Sequence, residues 1–254
     1  MTNRVLETKS LGIDFGGLTA VNNLNLYVAE NEIVGLIGPN GAGKTTVFNL
    51  LAKVYEPTRG SICLLGKDFN KLDTIKANIA GVARTFQNIR LFNKMSVIDN
   101  VKTAMNNTYD YSVFDALLHT KKYYENEKEI DKKASELLEI FGLSDSKDIE
   151  ASSLPYGAQR RLEIARALAT NPKILLLDEP AAGMNPQETE ELMNTIKFVR
   201  DKFGICILLI EHDMNLVMNI CERIYVLNYG TLLAEGSPEE IKSNPDVIKA
   251  YLGD

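Results

Sequence analysis

Gly38-Pro39-Asn40-Gly41-Ala42-Gly43-Lys44-Thr45 fits the phosphate-binding pattern G-x-x-x-x-G-K-[ST] at every fixed position. Glycines at this spacing let successive backbone N–H groups turn inward around an anion, where a Cβ would crowd it. Lys44 adds a mobile positive charge for β- and γ-phosphates, and the Thr45 hydroxyl is placed to hold Mg²⁺. Pro39, Asn40, Ala42 and Thr46 complete the expected phosphate cradle. Before the loop, Glu32 to Ile37 reads as a short buried strand, and after it Thr46 to Ala52 reads as a helix whose N-terminus faces the phosphates. A glycine-rich turn that happened to carry Lys-Thr would not need these flanks. The stretch therefore predicts an α/β fold of the P-loop type and a bound nucleotide.

Composition narrows the setting. The chain has 254 residues, 45% of them hydrophobic, enough for one large α/β domain or two smaller ones. A formal charge of −6 gives no overall positive field for a nucleic-acid backbone. Cys63, Cys206 and Cys221 lie far apart, show no C-x-x-C spacing and read as reduced core thiols. No apolar run is long enough for a signal peptide or a membrane span, so a membrane role is expected only through a partner.

Residues 4 to 30 alternate as antiparallel strands broken at Gly16-Gly17, and Pro57 to Gly60 turns into another strand over Ser61 to Gly66. From about Asn88 to Ser153 the period becomes helical, with Ile130, Ala134, Leu137, Leu138 and Phe141 on one face. The mixed-sign run Lys121 to Glu129 reads as a solvated helix face. After Pro172, strand and helix alternate again: Lys173 to Asp178 and Ile205 to Ile210 read as buried strands, Glu188 to Lys202 and Met214 to Cys221 as helices. There is no internal repeat and no second P-loop.

Hydrolysis needs a metal carboxylate, an activated water and a γ-phosphate sensor besides a P-loop. Asp178 ends an apolar strand, where a parallel sheet delivers side chains to the ligand crevice, and is the expected second Mg²⁺ contact. Glu179, next along the turn, is placed to polarise the attacking water as general base. The Gln87 amide suits contact with both Mg²⁺ and that water; on chemistry alone this is a suggestion. His212 follows a strand and is either a γ-phosphate sensor or a structural histidine, and Phe15 either stacks on adenine, with Val21 beneath, or belongs to the core.

The ordered set Phe15, P-loop, Gln87, Leu154-Pro155-Tyr156-Gly157-Ala158-Gln159-Arg160-Arg161, Asp178-Glu179-Pro180 and His212 resembles the nucleotide-binding subunit of ABC transporters over essentially the whole chain. Closer still, Leu162 to Leu168, Glu179 to Pro186 and the tail Asn244 to Gly253 resemble the ATP-binding subunits of branched-chain amino-acid importers. The resemblance implies a single ABC ATPase domain: about 1–87 and 157–254 would form an antiparallel β subdomain plus a RecA-like core, and about 88–156 a helical subdomain. It also implies ATP and Mg²⁺ as cofactors, the sensor role for His212, adenine stacking for Phe15 and a hinge at Gln87. Two such subunits sandwich two ATPs, so a helix beginning after Gly157, with Tyr156 beside it, would complete the site of a facing subunit. Pro155, Tyr156 and Ala158 depart from the family's commonest signature, L-S-G-G-Q, and Pro155 removes its hydroxyl. Asn185 stands where many members carry aspartate.

The partners implied are membrane permease subunits and a second ATPase, identical or homologous, with no nucleic acid and no direct contact with the solute. The expected location is the cytoplasmic face of the membrane, and the apolar stretch Leu91 to Met95 is the expected groove for a permease helix. Lipopolysaccharide-export ATPases share much of the pattern and are the alternative. A soluble ABC protein of DNA repair or translation would usually carry a second cassette, a zinc module or a long coiled coil.

Overall fold

The computed structural model describes residues 3–105, 114, 117–118 and 120–252. Two compact units divide the chain, one over residues 1–87 and 173–254, the other over 88–172. The sequence-based boundary at 156/157 is therefore corrected to 172/173.

In the first unit, β1 (Arg4–Phe15) and β2 (Leu18–Ala29) form a hairpin that turns at Gly16-Gly17. With β4 (Arg59–Leu64) and β5 (Lys67–Asp68) they make an antiparallel sheet ordered β2-β1-β4-β5. The second sheet is ordered β10-β9-β3-β8-β7-β6. It contains β3 (Ile33–Ile37), β6 (Val82–Arg84), β7 (Ile174–Asp178), β8 (Cys206–Ile210), β9 (Arg223–Asn228) and β10 (Thr231–Gly236). All its neighbours pair in parallel except β9 and β10. Every residue of β3, β7 and β8 is buried, which is why these strands read as unbroken apolar runs rather than alternating ones.

Between the sheets lies a continuous core. Leu24, Leu26 and Val28 from β2 join Leu36, Leu176 and Leu208 from the parallel sheet and Val47, Phe48, Leu50 and Leu51 from α1 (Lys44–Leu51). The helix that opens at the P-loop is thus fixed by its buried face. Helices α2 (Thr74–Ala80), α6 (Pro186–Phe203), α7 (Met214–Ile220), α8 (Pro238–Ser243) and α9 (Pro245–Leu252) complete the unit. Cys206 and Cys221 are buried as expected, whereas Cys63 is half-buried, and all three are free thiols.

The second unit contains α3 (Val97–Met105), α4 (Lys121–Ile140) and α5 (Tyr156–Leu168). Ile130, Ala134, Leu137 and Leu138 form the buried stripe of α4, while Lys133 pairs with Glu129 at 2.9 Å on its exposed side. Helix α5 packs on α3 and α4, which is the physical reason for the shifted boundary. Within α5 the fully buried Arg160 donates to Glu163 at 2.8 Å, and Glu163 Oε1 accepts the Arg90 N–H at 3.1 Å. A buried ion pair of this kind fixes the helix against the segment that follows Gln87.

Phe48 tests the central packing. It has no exposed surface and lies on the helix that carries Lys44, so Phe48→Ala should cost about 3–5 kcal/mol in denaturant unfolding, with Phe48→Leu costing less.

Candidate active site

The P-loop connects β3 to α1, and its backbone is set by neighbouring strands. Gly38 has φ 151° and Gly43 φ 98°. A Cβ on Gly38 would meet the Leu227 carbonyl at 2.2 Å, and one on Gly43 the Ala20 carbonyl at 2.8 Å. At these two positions the backbones of β9 and β2 therefore demand glycine by themselves. Helix α1 has Gly43 at its N-cap, no side-chain cap and no acidic residue in its first turn, so its leading N–H groups are left for an anion. The Lys44 ammonium folds back onto the loop, donating to Gly38 O at 2.7 Å and Pro39 O at 3.0 Å. Burial pushes its pKa down, and the carboxylates of Glu179 and Asp178 pull it back up.

A 420 Å³ pocket opens over this loop. Asn40, Gly41, Ala42, Gly43, Lys44, Thr45 and Thr46 line it, together with Glu179 and His212. Parallel register brings these groups together, because Asp178 pairs with Ile210, and Ile210 with Leu36, so three loops leave the sheet at one edge. Glu179 is the focus. Its Oε1 lies 2.9 Å from His212 Nε2, and its Oε2 accepts from Gln87 Nε2 at 2.8 Å. Glu179 also has φ 47°, a left-handed conformation that a non-glycine residue adopts only under constraint.

Asp178 is not open to the pocket as expected. Its side chain is buried, and Oδ2 accepts from Arg84 Nη2 at 2.8 Å. Arg84 donates in turn to Asn49 Oδ1 of α1 at 2.6 Å, and its guanidinium lies 5.0 Å from the Phe86 ring centroid. Sequence alone does not single out Arg84, because a lone arginine at a strand end carries no spacing signal. Among the described residues no cluster of three or more His, Cys, Asp or Glu forms a metal cage.

The adenine-site expectation for Val21 needs correction. Val21 is fully buried and lies beneath Gly43, so it has no surface to offer a base. Phe15 is half exposed, meets Tyr55 edge-on at 5.3 Å, and is not among the residues lining the pocket. Instead Leu18, Thr19 and Ala20, just beyond Phe15 on the hairpin, line it, as do Tyr229 and Gly230. Gly230 ties the site together, its N–H donating to Ala42 O at 3.0 Å and its carbonyl accepting from Asn22 at 2.8 Å. In the second unit, α5 starts at Tyr156, two residues earlier than expected. Tyr156 is exposed and Gly157 buried, and the helix N-terminus has no side-chain cap.

A family model described as ABC transporter matches residues 21–182. The chain belongs to the ABC transporter family. As an ABC ATPase it binds ATP and couples ATP hydrolysis to transport. Residues 231–254 of this ABC ATPase match a second model, described as branched-chain amino acid ATP-binding cassette transporter. The chain is 51% identical over 254 residues to the high-affinity branched-chain amino acid transport ATP-binding protein LivG of Salmonella typhimurium, covering 100% of both. Its fold is similar to the crystal structure of a nucleotide-free ATP-binding cassette from an ABC transporter. That match has a TM-score of 0.86 and 32% identity, and covers 99% of this chain and 100% of that one. The dimeric structure of MJ0796, a bacterial ABC transporter cassette, matches with a TM-score of 0.77 and 26% identity, covering 92% of this chain and 98% of that one.

Because Lys44 brings the only full positive charge among the described residues that line the pocket, Lys44→Ala should weaken ATP binding about tenfold to hundredfold in a nucleotide titration, with the fold retained.

Proposed function

We propose that this ABC ATPase is the ATP-binding and ATP-hydrolysing subunit of a branched-chain amino-acid importer. In this reading ATP closes a dimer of two cassettes, hydrolysis opens it, and the motion drives membrane permease subunits from the cytoplasmic face. The observation that carries the hydrolytic part is the Glu179 carboxylate at the P-loop pocket, held between Gln87 and His212. The full-length similarity to LivG and the tail match favour amino-acid import over lipopolysaccharide export. Among the described residues no helix is long and apolar enough to cross a membrane.

The chain's own residues divide the work. Backbone N–H groups of the loop and of the first turn of α1 receive the phosphates, and Lys44 turns from the loop carbonyls toward the β- and γ-phosphates. Thr45, Asp178 and Gln87 would hold Mg²⁺, which supplies charge neutralisation at the phosphates. For Asp178 this requires that Arg84 share the carboxylate. Glu179 takes the role of general base, orienting and polarising a water in line with the γ-phosphate. His212, already within hydrogen-bond distance of Glu179, exchanges that contact for the γ-phosphate, so arrival of nucleotide releases the base. Tyr156 and Gly157 serve the site of the facing subunit, while the half-exposed ring of Phe15 stacks on adenine.

The base and the permease groove are tested separately. Glu179→Gln should keep ATP affinity, lose nearly all steady-state hydrolysis and accumulate an ATP-bound dimer in size-exclusion chromatography; turnover at the wild-type rate would remove Glu179 from the role of base. Phe92 is half exposed, with Arg166 5.6 Å over its ring, in the stretch assigned to the permease groove. Phe92→Glu should spare the ATPase activity of the isolated subunit and uncouple transport in reconstituted vesicles. Normal assembly and transport would place the groove elsewhere.

A further inference from the structure

Glu211 is a buried carboxylate that the hydrolytic scheme leaves unused. It follows β8, is 4% exposed, and among the described residues joins no ion pair. An ionised carboxylate in such a place is costly unless its oxygens are satisfied. Backbone amides do this. Oε1 accepts the Ala181 N–H at 2.7 Å, and Oε2 accepts the N–H groups of His212 at 3.0 Å and Asp213 at 3.3 Å. Burial pushes the Glu211 pKa up, and these three amides pull it back down.

The two loops joined in this way are the ones that carry Glu179 and His212. Ala181 lies two residues after Glu179, whose left-handed backbone persists only where its surroundings over-determine it. One restraint is the Glu179 N–H, which donates to Ile210 O at 2.9 Å. The other is the Ala181 N–H on Glu211. The turn 179–181 is therefore tied at both ends to residues 210 and 211, and the same carboxylate ties down the start of the His212 turn.

We propose that Glu211 is a positioning residue for ATP hydrolysis. Its carboxylate clamps the turn after β7 to the turn after β8 and so fixes the Glu179 and His212 side chains relative to each other. The inference rests on the reading of Glu179 as general base. It concerns geometry rather than nucleotide affinity, because Glu211 does not line the pocket.

The test is steady-state ATPase kinetics with nucleotide titration on Glu211→Gln and Glu211→Thr. Glutamine keeps the shape but turns an NH₂ group against amide donors. Threonine removes the buried charge, keeps a hydroxyl for the local amides and cannot reach Ala181, so it serves if Glu211→Gln does not fold. Either variant should lower kcat about tenfold to hundredfold, the scale of a small misplacement of a reacting group, while KM and the nucleotide Kd change less than about twofold. Adding Glu211→Gln to Glu179→Gln should slow turnover by less than Glu211→Gln does alone, since part of the clamp's effect passes through Glu179. A wild-type kcat per folded molecule, or a double variant in which the two losses multiply, would overturn the clamp. If Glu179→Gln itself is fully active, the base assignment fails and the clamp with it. A slow Glu179→Gln beside a fully active Glu211→Gln overturns the clamp alone.

Discussion

The parallel ladder of β3, β8 and β7 is the constraint on which the site depends. Parallel strands in register end at the same edge, so the loops that leave them are forced into one crevice. Leu36 opposite Ile210, and Ile210 opposite Asp178, place the P-loop, the Asp178-Glu179 turn and the Glu211-His212 turn side by side, although the P-loop lies more than a hundred residues of chain before either turn. The second unit, residues 88–172, is inserted between β6 and β7, two neighbours of this ladder, and leaves their pairing intact.

Within that frame, polar groups are held by other polar groups of the protein. Lys44 rests on two loop carbonyls, Asp178 on Arg84, and Glu179 on Gln87 and His212. Each contact satisfies a charge that burial would otherwise penalise. In the proposed scheme a nucleotide with its counter-charge would replace several of them: triphosphate for the carbonyls at Lys44, metal for part of Arg84 at Asp178, γ-phosphate for Glu179 at His212. The differential between these two sets of partners is what lets nucleotide shift the conformation of the loops.

Much of this is legible in the sequence, for physical reasons that differ by residue. The P-loop is contiguous and its glycines are fixed by geometry, so spacing alone reports it. Asp178 and Glu179 are legible because a strand of Ile and Leu that ends in two adjacent acids, in a chain with a P-loop, delivers both to the ligand edge of the sheet. Gln87 and His212 have no local signal and need the ordered resemblance, yet both reach the Glu179 carboxylate. Val21 is misread because alternation in β2 gives two faces and the sequence does not say which one meets the nucleotide; the structure turns it inward. Arg84, Glu211 and Gly230 escape because their roles lie in contacts between distant segments. The boundary at 156/157 fails for the same reason, since only packing against α3 and α4 assigns α5 to its unit.

Helix capping connects the two ends of the proposed ATP sandwich. Asp73, Thr120, Asn185, Asp213 and Ser237 cap α2, α4, α6, α7 and α8 through side-chain oxygens. Ser96 Oγ accepts from Asp99 N in α3, and Asn244 Oδ1 accepts from Asp246 N and Val247 N in α9. Among the described α-helices, only α1 and α5 begin without a side-chain cap, and neither has an acidic residue in its first turn. A cap typically stabilises a helix by about 1 kcal/mol, so leaving two helices uncapped costs stability unless another acceptor arrives. One of them follows the P-loop and the other starts at the Tyr156-Gly157 signature. A phosphate group shared between the P-loop of one subunit and the signature of another supplies an acceptor to both helix ends at once, and each helix macrodipole favours its charge. Asn185 fits the same pattern: its side chain caps α6, so asparagine meets the local backbone requirement without adding a further negative charge where phosphates would gather.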